Sequence, residues 1–321
     1  MAFASGGFPR RAESGIEKGM KALLRIGTRG SPLALAQAHE TRDRLAAAFP
    51  ELADDGAVEI VTFKTEGDRI LDRTLSAAGG KGLFTKEIEQ ALIDGSVDLA
   101  VHSMKDVPTA LPDGLAITSY LPREDHRDAW FSPKAASLDE LPEGALVGTA
   151  SLRRQAIVLM RRPDLRIAAL RGNVQTRLRK LEEGLVDATL LAMAGLNRLG
   201  LADKATGVLT EEQMLPAVAQ GAIGIETRIA DDRTNAYVRA LNCAETELRV
   251  TAERGVLATL DGSCRTPIAA LALINGDALS LKALVIRPDG QQWFMTGRAG
   301  NKADALALGI DAGQEIGRAH V

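Results

Sequence analysis

The 321-residue sequence predicts an α/β protein of two parallel-sheet units followed by a smaller C-terminal α+β unit with an antiparallel sheet. Three observations carry this. Up to about residue 120, strand-like apolar runs alternate with helix-like runs, the mark of a mostly parallel sheet covered by helices. The pattern then restarts and continues to about 219. After 241 the order changes to a long helix, three consecutive strands and a final helix. A chain of this length also favours two or three domains over one.

The elements follow in order. "LLRIGTR" reads as the first strand, and Ser31-Pro32 opens a helix through "LALAQAHETRDRLAAAF", with Ser at the N-cap and Pro at the first helical position. Strand "VEIVTFK" comes next, then "TEGDRILDRTLSAAGGKG", whose residues 66–80 read as a flexible lid. In the following helix Phe84, Ile88, Ala91 and Leu92 share one face. Strands "VDLAVHSM" and "LAITSYL" complete the first unit. In the second, "ALVGTA" leads into helix "SLRRQAIVLMRR", "RIAALRG" into "NVQTRLRKLEEG", and "VDATLLA" into "GLNRLGL". "GAIGIETR" is a further strand that can return to the first sheet. The third unit has helix "ELRVTAERGVLATL", stopped by Gly262, then strands "TPIAALALI", "ALSLKALVIR" and "QWFMTGR" and a helix from about 303. The predicted division is 1–20 disordered extension, 21–120 with 220–240 domain 1, 121–219 domain 2, and 241–321 domain 3. Met20 is a second candidate start.

Composition is that of a globular protein, 45% hydrophobic and 25% charged, with no apolar run long enough to span a bilayer. No positively charged start precedes an apolar stretch and cleavage site, so a cytoplasmic protein with reduced thiols is expected. Net charge is −3, but it is unevenly spread. Between Ser151 and Lys180 eight Arg and one Lys face a single Asp, so this window carries +8 and the other 291 residues −11. A basic window in an acidic chain points to a local polyanion site. Aromatic residues are only 3%, which together with the acidic remainder counts against a nucleic-acid binder.

Chemistry can be placed on a few positions. Arg153, Arg154, Arg171 and Arg177 stand where strands end and helices begin, where free N–H groups and the helix dipole favour anions. Arg29 and Ser31 repeat that arrangement in the first unit, so a ligand held between the two units is expected. "VHSMKDVP" ends a strand with Lys105 and Asp106 side by side, which on a strand would point to opposite faces. An Asp there would stay ionised and could neutralise a cationic intermediate. Cys264, in the loop "DGSCRTP", is a candidate reactive thiol, with Arg265 and Arg254 to stabilise a thiolate; a small packed side chain is the competing reading. "GGKGLF" fails as a phosphate loop because Gly82 follows the Lys where Ser or Thr is needed. The four His show no metal-ligand spacing, and no nucleophile elbow occurs. A non-enzymatic two-lobed anion-binding protein is the runner-up, opposed by the loop thiol and the absent export signal.

Taken in order, "TRGSPLALAQA", "GGKGLFTKEIEQALIDGSVDLAVHSMKDVP", "GTASLRRQ", "LRGNVQTRLRKL" and "DGSCRTP" closely resemble the porphobilinogen deaminase (hydroxymethylbilane synthase) family, from about Leu23 to Arg298. The resemblance implies two domains like type II periplasmic binding proteins with the active site between them, plus a third domain. It implies a monomer that polymerises four porphobilinogens, each losing ammonia, into hydroxymethylbilane. It implies attachment of a covalent dipyrromethane cofactor at Cys264 and a catalytic carboxylate at Asp106. It further implies that Arg29, Ser31, Lys81, Phe84, Lys105, Thr149, Ser151, Arg153, Arg154, Arg171, Arg177, Gly195, Arg198 and Gln220 bind cofactor or substrate, with no metal, membrane or nucleic-acid partner. Each porphobilinogen carries two carboxylates, so cofactor plus four units presents twelve, a load that suits the basic window. Where the family often has a Lys four residues before the Lys of "GGKG", this chain has Ala77.

Overall fold

The computed structural model describes residues 22–69, 82–260 and 267–319. The first sheet contains β1 (Leu24–Arg29), β2 (Val58–Phe63), β3 (Leu99–Ser103) and β4 (Leu115–Tyr120). The second contains β5 (Asp128–Phe131), β6 (Leu146–Gly148), β7 (Arg166–Ala168), β8 (Ala188–Ala192) and β9 (Gly207–Val208). The chain then returns with β10 (Ile223–Arg228), which enters the first sheet between β3 and β4, antiparallel to both. The strand orders are β2-β1-β3-β10-β4 and β7-β6-β8-β5-β9. Each sheet thus has three parallel strands and then a reversed one donated by the chain as it crosses between the domains. This is the expected two-lobed α/β arrangement, with two crossovers forming its hinge.

Helices α1 (Pro32–Ala48), α2 (Glu66–Arg69), α3 (Lys86–Ile93) and α7 (Asp232–Arg239) belong to the first sheet, and α4 (Leu152–Arg161), α5 (Val174–Glu182) and α6 (Met193–Arg198) to the second. The N-cap read from sequence holds: Ser31 Oγ accepts from the Ala34 N–H at 3.3 Å, with Pro32 opening α1. Asn173 caps α5 in the same way, accepting from Thr176 N–H at 2.9 Å.

The third sheet is a meander of β11 (Ile268–Asn275), β12 (Ala278–Ile286) and β13 (Trp293–Asn301), backed by α8 (Ala244–Thr259) and α9 (Ala305–Ala319). The sequence of β12 explains its place. "ALSLK" alternates exposed and buried, whereas "ALVI" is buried on both faces. Ala283 and Val285 pack toward α8 and α9, while Leu284 and Ile286 join the core of the second domain around Trp130 and Ile157. The third domain is therefore wedged against both lobes.

Several details differ from the sequence reading. β5 and β9 were not anticipated; "DAWF" is buried on both faces and so shows no alternation. Glu66–Arg69 is a helical turn rather than loop, and residues 70–80 of the expected lid lie outside the described residues. Phe84 precedes α3 instead of lying on it, so only Ile88, Ala91 and Leu92 form its buried face. α8 ends at Thr259 with Leu260 as its cap, before Gly262, which is outside the described residues.

Candidate active site

β3 ends at Ser103, and Met104–Asp106 tightens into a 3-10 turn anchored by the buried Met104. The sequence reading put Lys105 and Asp106 on a strand with opposed side chains. In the turn, successive residues are about 120° apart, so both reach water at the cleft. Lys105 is accessible there yet surrounded by protein. Loss of hydration brings its ammonium down to about 8, with Arg154 and Arg153 acting in the same direction and Asp106 and Asp128 opposing.

Across the cleft stand the starts of α4 and α5. Ser151 caps α4, accepting from the Arg154 N–H at 3.4 Å, and Thr149 Oγ1 accepts from Ser151 N at 3.1 Å. Arg153 and Arg154 do not project freely, as the sequence suggested; both side chains are buried and share one acid that the sequence reading missed. Arg153 Nη2 donates to Asp128 Oδ2 at 2.8 Å and Arg154 Nη2 to Oδ1 at 2.6 Å. Their Nη1 atoms donate to the carbonyls of Leu215 and Leu190, and Gln220 Nε2 adds a bond to Asp128 at 3.1 Å. Burial alone would raise the Asp128 carboxyl, but the two guanidiniums outweigh it and hold it well below the usual range. Among the described residues, both Nε atoms are buried without a partner. Asp128 could have been suspected only as an acid opening an otherwise apolar strand, "DAWF".

Arg177 donates through Nε to Gly172 O at 2.9 Å, and burial, with the charges of Arg154 and Arg171 adding, lowers it to about 10 while Asp106 opposes. Among the described residues, Lys105 thus stands within electrostatic reach of both Asp106 and Asp128, Arg177 of Asp106, Arg153 and Arg154 of Asp128, and Arg171 of Arg177. The +8 window is only half spent here. Arg161 pairs with Asp139, Arg162 with Asp164, Arg166 with Gly144 O and Arg179 with Glu183, all away from the cleft. On α4 the reason is length, because Arg161 lies eight residues, about 12 Å, from Arg153.

From domain 1, the Arg29 guanidinium lies 4.3 Å over the Phe84 ring. The ends of the lid segment meet beside it, Gly67 N donating to Leu83 O at 2.8 Å. Ser31 opens α1, Gly195 lies on α6 against Leu33, and Arg198 ends α6 near the hinge. Gln37 and Ser103, which the sequence reading did not single out, hydrogen-bond each other at 2.9 Å on the same wall. Arg254 donates to the carbonyls of Val107 (2.9 Å) and Pro108 (2.5 Å), tying α8 to the turn that carries Asp106. Cys264, Arg265 and Lys81 lie outside the described residues.

A family model described as "Porphobilinogen deaminase, dipyromethane cofactor binding domain" matches residues 24–236, and its C-terminal domain model matches 247–317. The chain belongs to the porphobilinogen deaminase family. It is 60% identical over 294 residues to the porphobilinogen deaminase of Nitrobacter winogradskyi, covering 92% of each chain. Identity to that of Paracoccus denitrificans is 57% over 297 residues, covering 92% of this chain and 94% of the other. Among solved structures, a periplasmic substrate-binding protein of an ABC transporter from Coxiella burnetii is similar at a TM-score of 0.42 and 18% identity, covering 68% of this chain and 91% of that one. The family's dipyrromethane cofactor is a polycarboxylate. The residues present fit such a group, since Lys105 and the arginines at the starts of α4 and α5 lie within electrostatic reach of one another and, among the described residues, the buried Arg153 and Arg154 Nε atoms have no acceptor.

Proposed function

We propose that this chain is a hydroxymethylbilane synthase that joins four porphobilinogens head to tail on a dipyrromethane primer held at Cys264, then releases the linear tetrapyrrole by hydrolysis. The observation that carries the proposal is a linked set of charges from two domains: Lys105 and Arg177 both act on the water-accessible acid Asp106, and Arg153, Arg154 and Arg171 stand within electrostatic reach of those two cations. When bound, the cofactor supplies the nucleophilic pyrrole carbon to which units are added.

The chain's own residues have separable tasks in this reading. Arg153, Arg154, Arg171 and Arg177, with Lys105 and Arg29, hold acetate and propionate carboxylates by charge and hydrogen bonds. The helix starts at Ser31, Thr149 and Ser151 add backbone donors, while Phe84, Gly195, Arg198 and Gln220 line or brace the walls. Asp106 accepts pyrrole N–H hydrogens and stabilises the positive charge that develops on the substrate's methylene as ammonia leaves. Asp128 holds Arg153 and Arg154 in position and balances their charge.

The division into domains 21–120 with 220–240, 121–219 and 241–321 belongs to the same proposal, supported by sheet membership. So does action as a monomer in the cytoplasm, which rests on the sequence reading.

Intact-protein mass tests the function. The purified protein should exceed its sequence mass by two linked pyrrole units, and Cys264→Ser should return it to the sequence mass. An unmodified wild-type protein from a host that makes porphobilinogen would overturn the proposal.

A further inference from the structure

Helices α1 and α6 face each other across the seam between the domains. A Cβ added at Gly195 would lie 3.3 Å from Leu33 Cδ2, so the helices meet closely there. Farther along, Arg198 Nε donates to Glu40 Oε2 at 3.1 Å, and Arg198 Nη2 to Gly221 O at 3.2 Å. Glu40 belongs to the first domain and Arg198 to the second. The pair is unequal, the Arg198 side chain being 8% exposed and Glu40 28%. Glu40 is also shared: its other oxygen accepts from Arg44 Nε at 3.2 Å and Nη2 at 3.1 Å, one helical turn away.

Beside this pair is a cavity of about 30 Å³, with Ser103 and Lys105 on one wall and Gly195 and Arg198 on the other. Such a volume holds one or two waters, and no pyrrole bearing two carboxylates enters it without separating α1 from α6. Separation stretches the Glu40–Arg198 bond. The returning crossover beneath passes through two left-handed residues, Ala219 at φ 58° and Gly221 at φ 91°. A side chain at Gly221 would also collide with Glu124 O at 2.5 Å.

We propose that Glu40 is a carboxylate latch: it occupies on Arg198 the place a substrate carboxylate takes as the cleft opens, and so sets the affinity for substrate by exchange. The proposal rests on the reading that this cleft receives porphobilinogen. Arg44 makes the exchange feasible, because Glu40 keeps a cationic partner after leaving Arg198. Glu40 is a positioning residue and touches no reacting atom.

If only the unlatched fraction of the protein binds substrate, the apparent affinity is the intrinsic one multiplied by that fraction, and removing the latch restores it. In the holoenzyme, Glu40→Gln should therefore lower KM for porphobilinogen about fivefold, the factor expected of a partly exposed charge pair, with kcat changed by less than about twofold. Arg44→Gln should act in the opposite direction, raising KM by leaving Glu40 to Arg198 alone. A purely structural ion pair would give neither sign reversal nor tighter binding. An unchanged or raised KM in Glu40→Gln, or both variants shifting KM the same way, overturns the latch. A wild-type holoenzyme that fails to consume porphobilinogen overturns the parent reading, and this one with it.

Discussion

Lys105 is the cleft cation whose charge is nearest to changing at physiological pH. Burial, aided by the neighbouring guanidiniums of Arg154 and Arg153, brings it to about 8. It is therefore charged at neutral pH and loses that charge as pH rises through 8 in the free protein. The profile of kcat/KM, which reports ionisation of free enzyme, should fall above about pH 8 because an anionic substrate then meets one cation fewer. Lys105→Arg should remove that limb, since a guanidinium does not titrate there. A wild-type profile level to pH 9 would contradict the assignment. At this scale the sequence showed which residues matter better than how they are held. Arg153 and Arg154 were visible as a doublet at a helix start, but Asp128 lies 25 and 26 residues away on a strand too short to show a pattern. Only the folded sheet brings them together.

Among elements, α3 carries a buried charge that the active site does not use. Glu89 packs toward His102 of β3 and Glu226 of β10, the latter two bonded at 2.9 Å. Burial pushes the Glu89 carboxyl above its usual range; Glu226 adds to the shift, while Thr85 and His102 oppose it. A carboxyl raised in the folded state leaves full stability below its unfolded value, about 4.3. Stability is then lost as pH rises through the folded value. Glu89→Gln should therefore match wild type near pH 4 and gain relative Tm as pH rises from there, until the folded carboxyl is ionised. A Tm difference independent of pH, or one that falls with pH, would refute this. Elements were legible where local chemistry is strong, as at Ser31-Pro32 and in the half-alternating β12. They were not where tertiary burial removes periodicity, as in β5, or where a strand end coils into the turn of Lys105 and Asp106. The order of strands in each sheet was equally hidden, because β5 and β10 take places chosen by the crossovers.

Across the whole molecule, both crossovers and the third domain meet at one buried ion pair. Arg123 Nη1 and Nη2 donate to Glu253 Oε1 and Oε2 at 2.6 and 3.1 Å, with both side chains at most 1% exposed. Arg123 lies on the outgoing crossover, and its Nε donates to Gln220 O on the returning one at 2.9 Å. Glu253, on α8, also accepts the N–H groups of Ala219 (2.7 Å) and of Ala272 on β11 (2.9 Å). Two effects compete when such a pair is replaced. Swapping both partners for apolar residues is often harmless, whereas removing one strands a buried charge at about 3–5 kcal/mol. Here the harmless route is closed, because losing Glu253 also leaves two backbone donors buried without acceptors, at about 1–3 kcal/mol each. Glu253→Gln, which keeps an acceptor but not the charge, should cost about 3–5 kcal/mol in denaturant unfolding. The double change Arg123→Met with Glu253→Leu should restore little of it. Recovery of most of the lost stability in the double variant would show that the charges, and not the backbone donors of the hinge, set the cost of this node. Failure to recover locates that cost in the backbone donors that Glu253 grips, Ala219 on the returning crossover and Ala272 on β11.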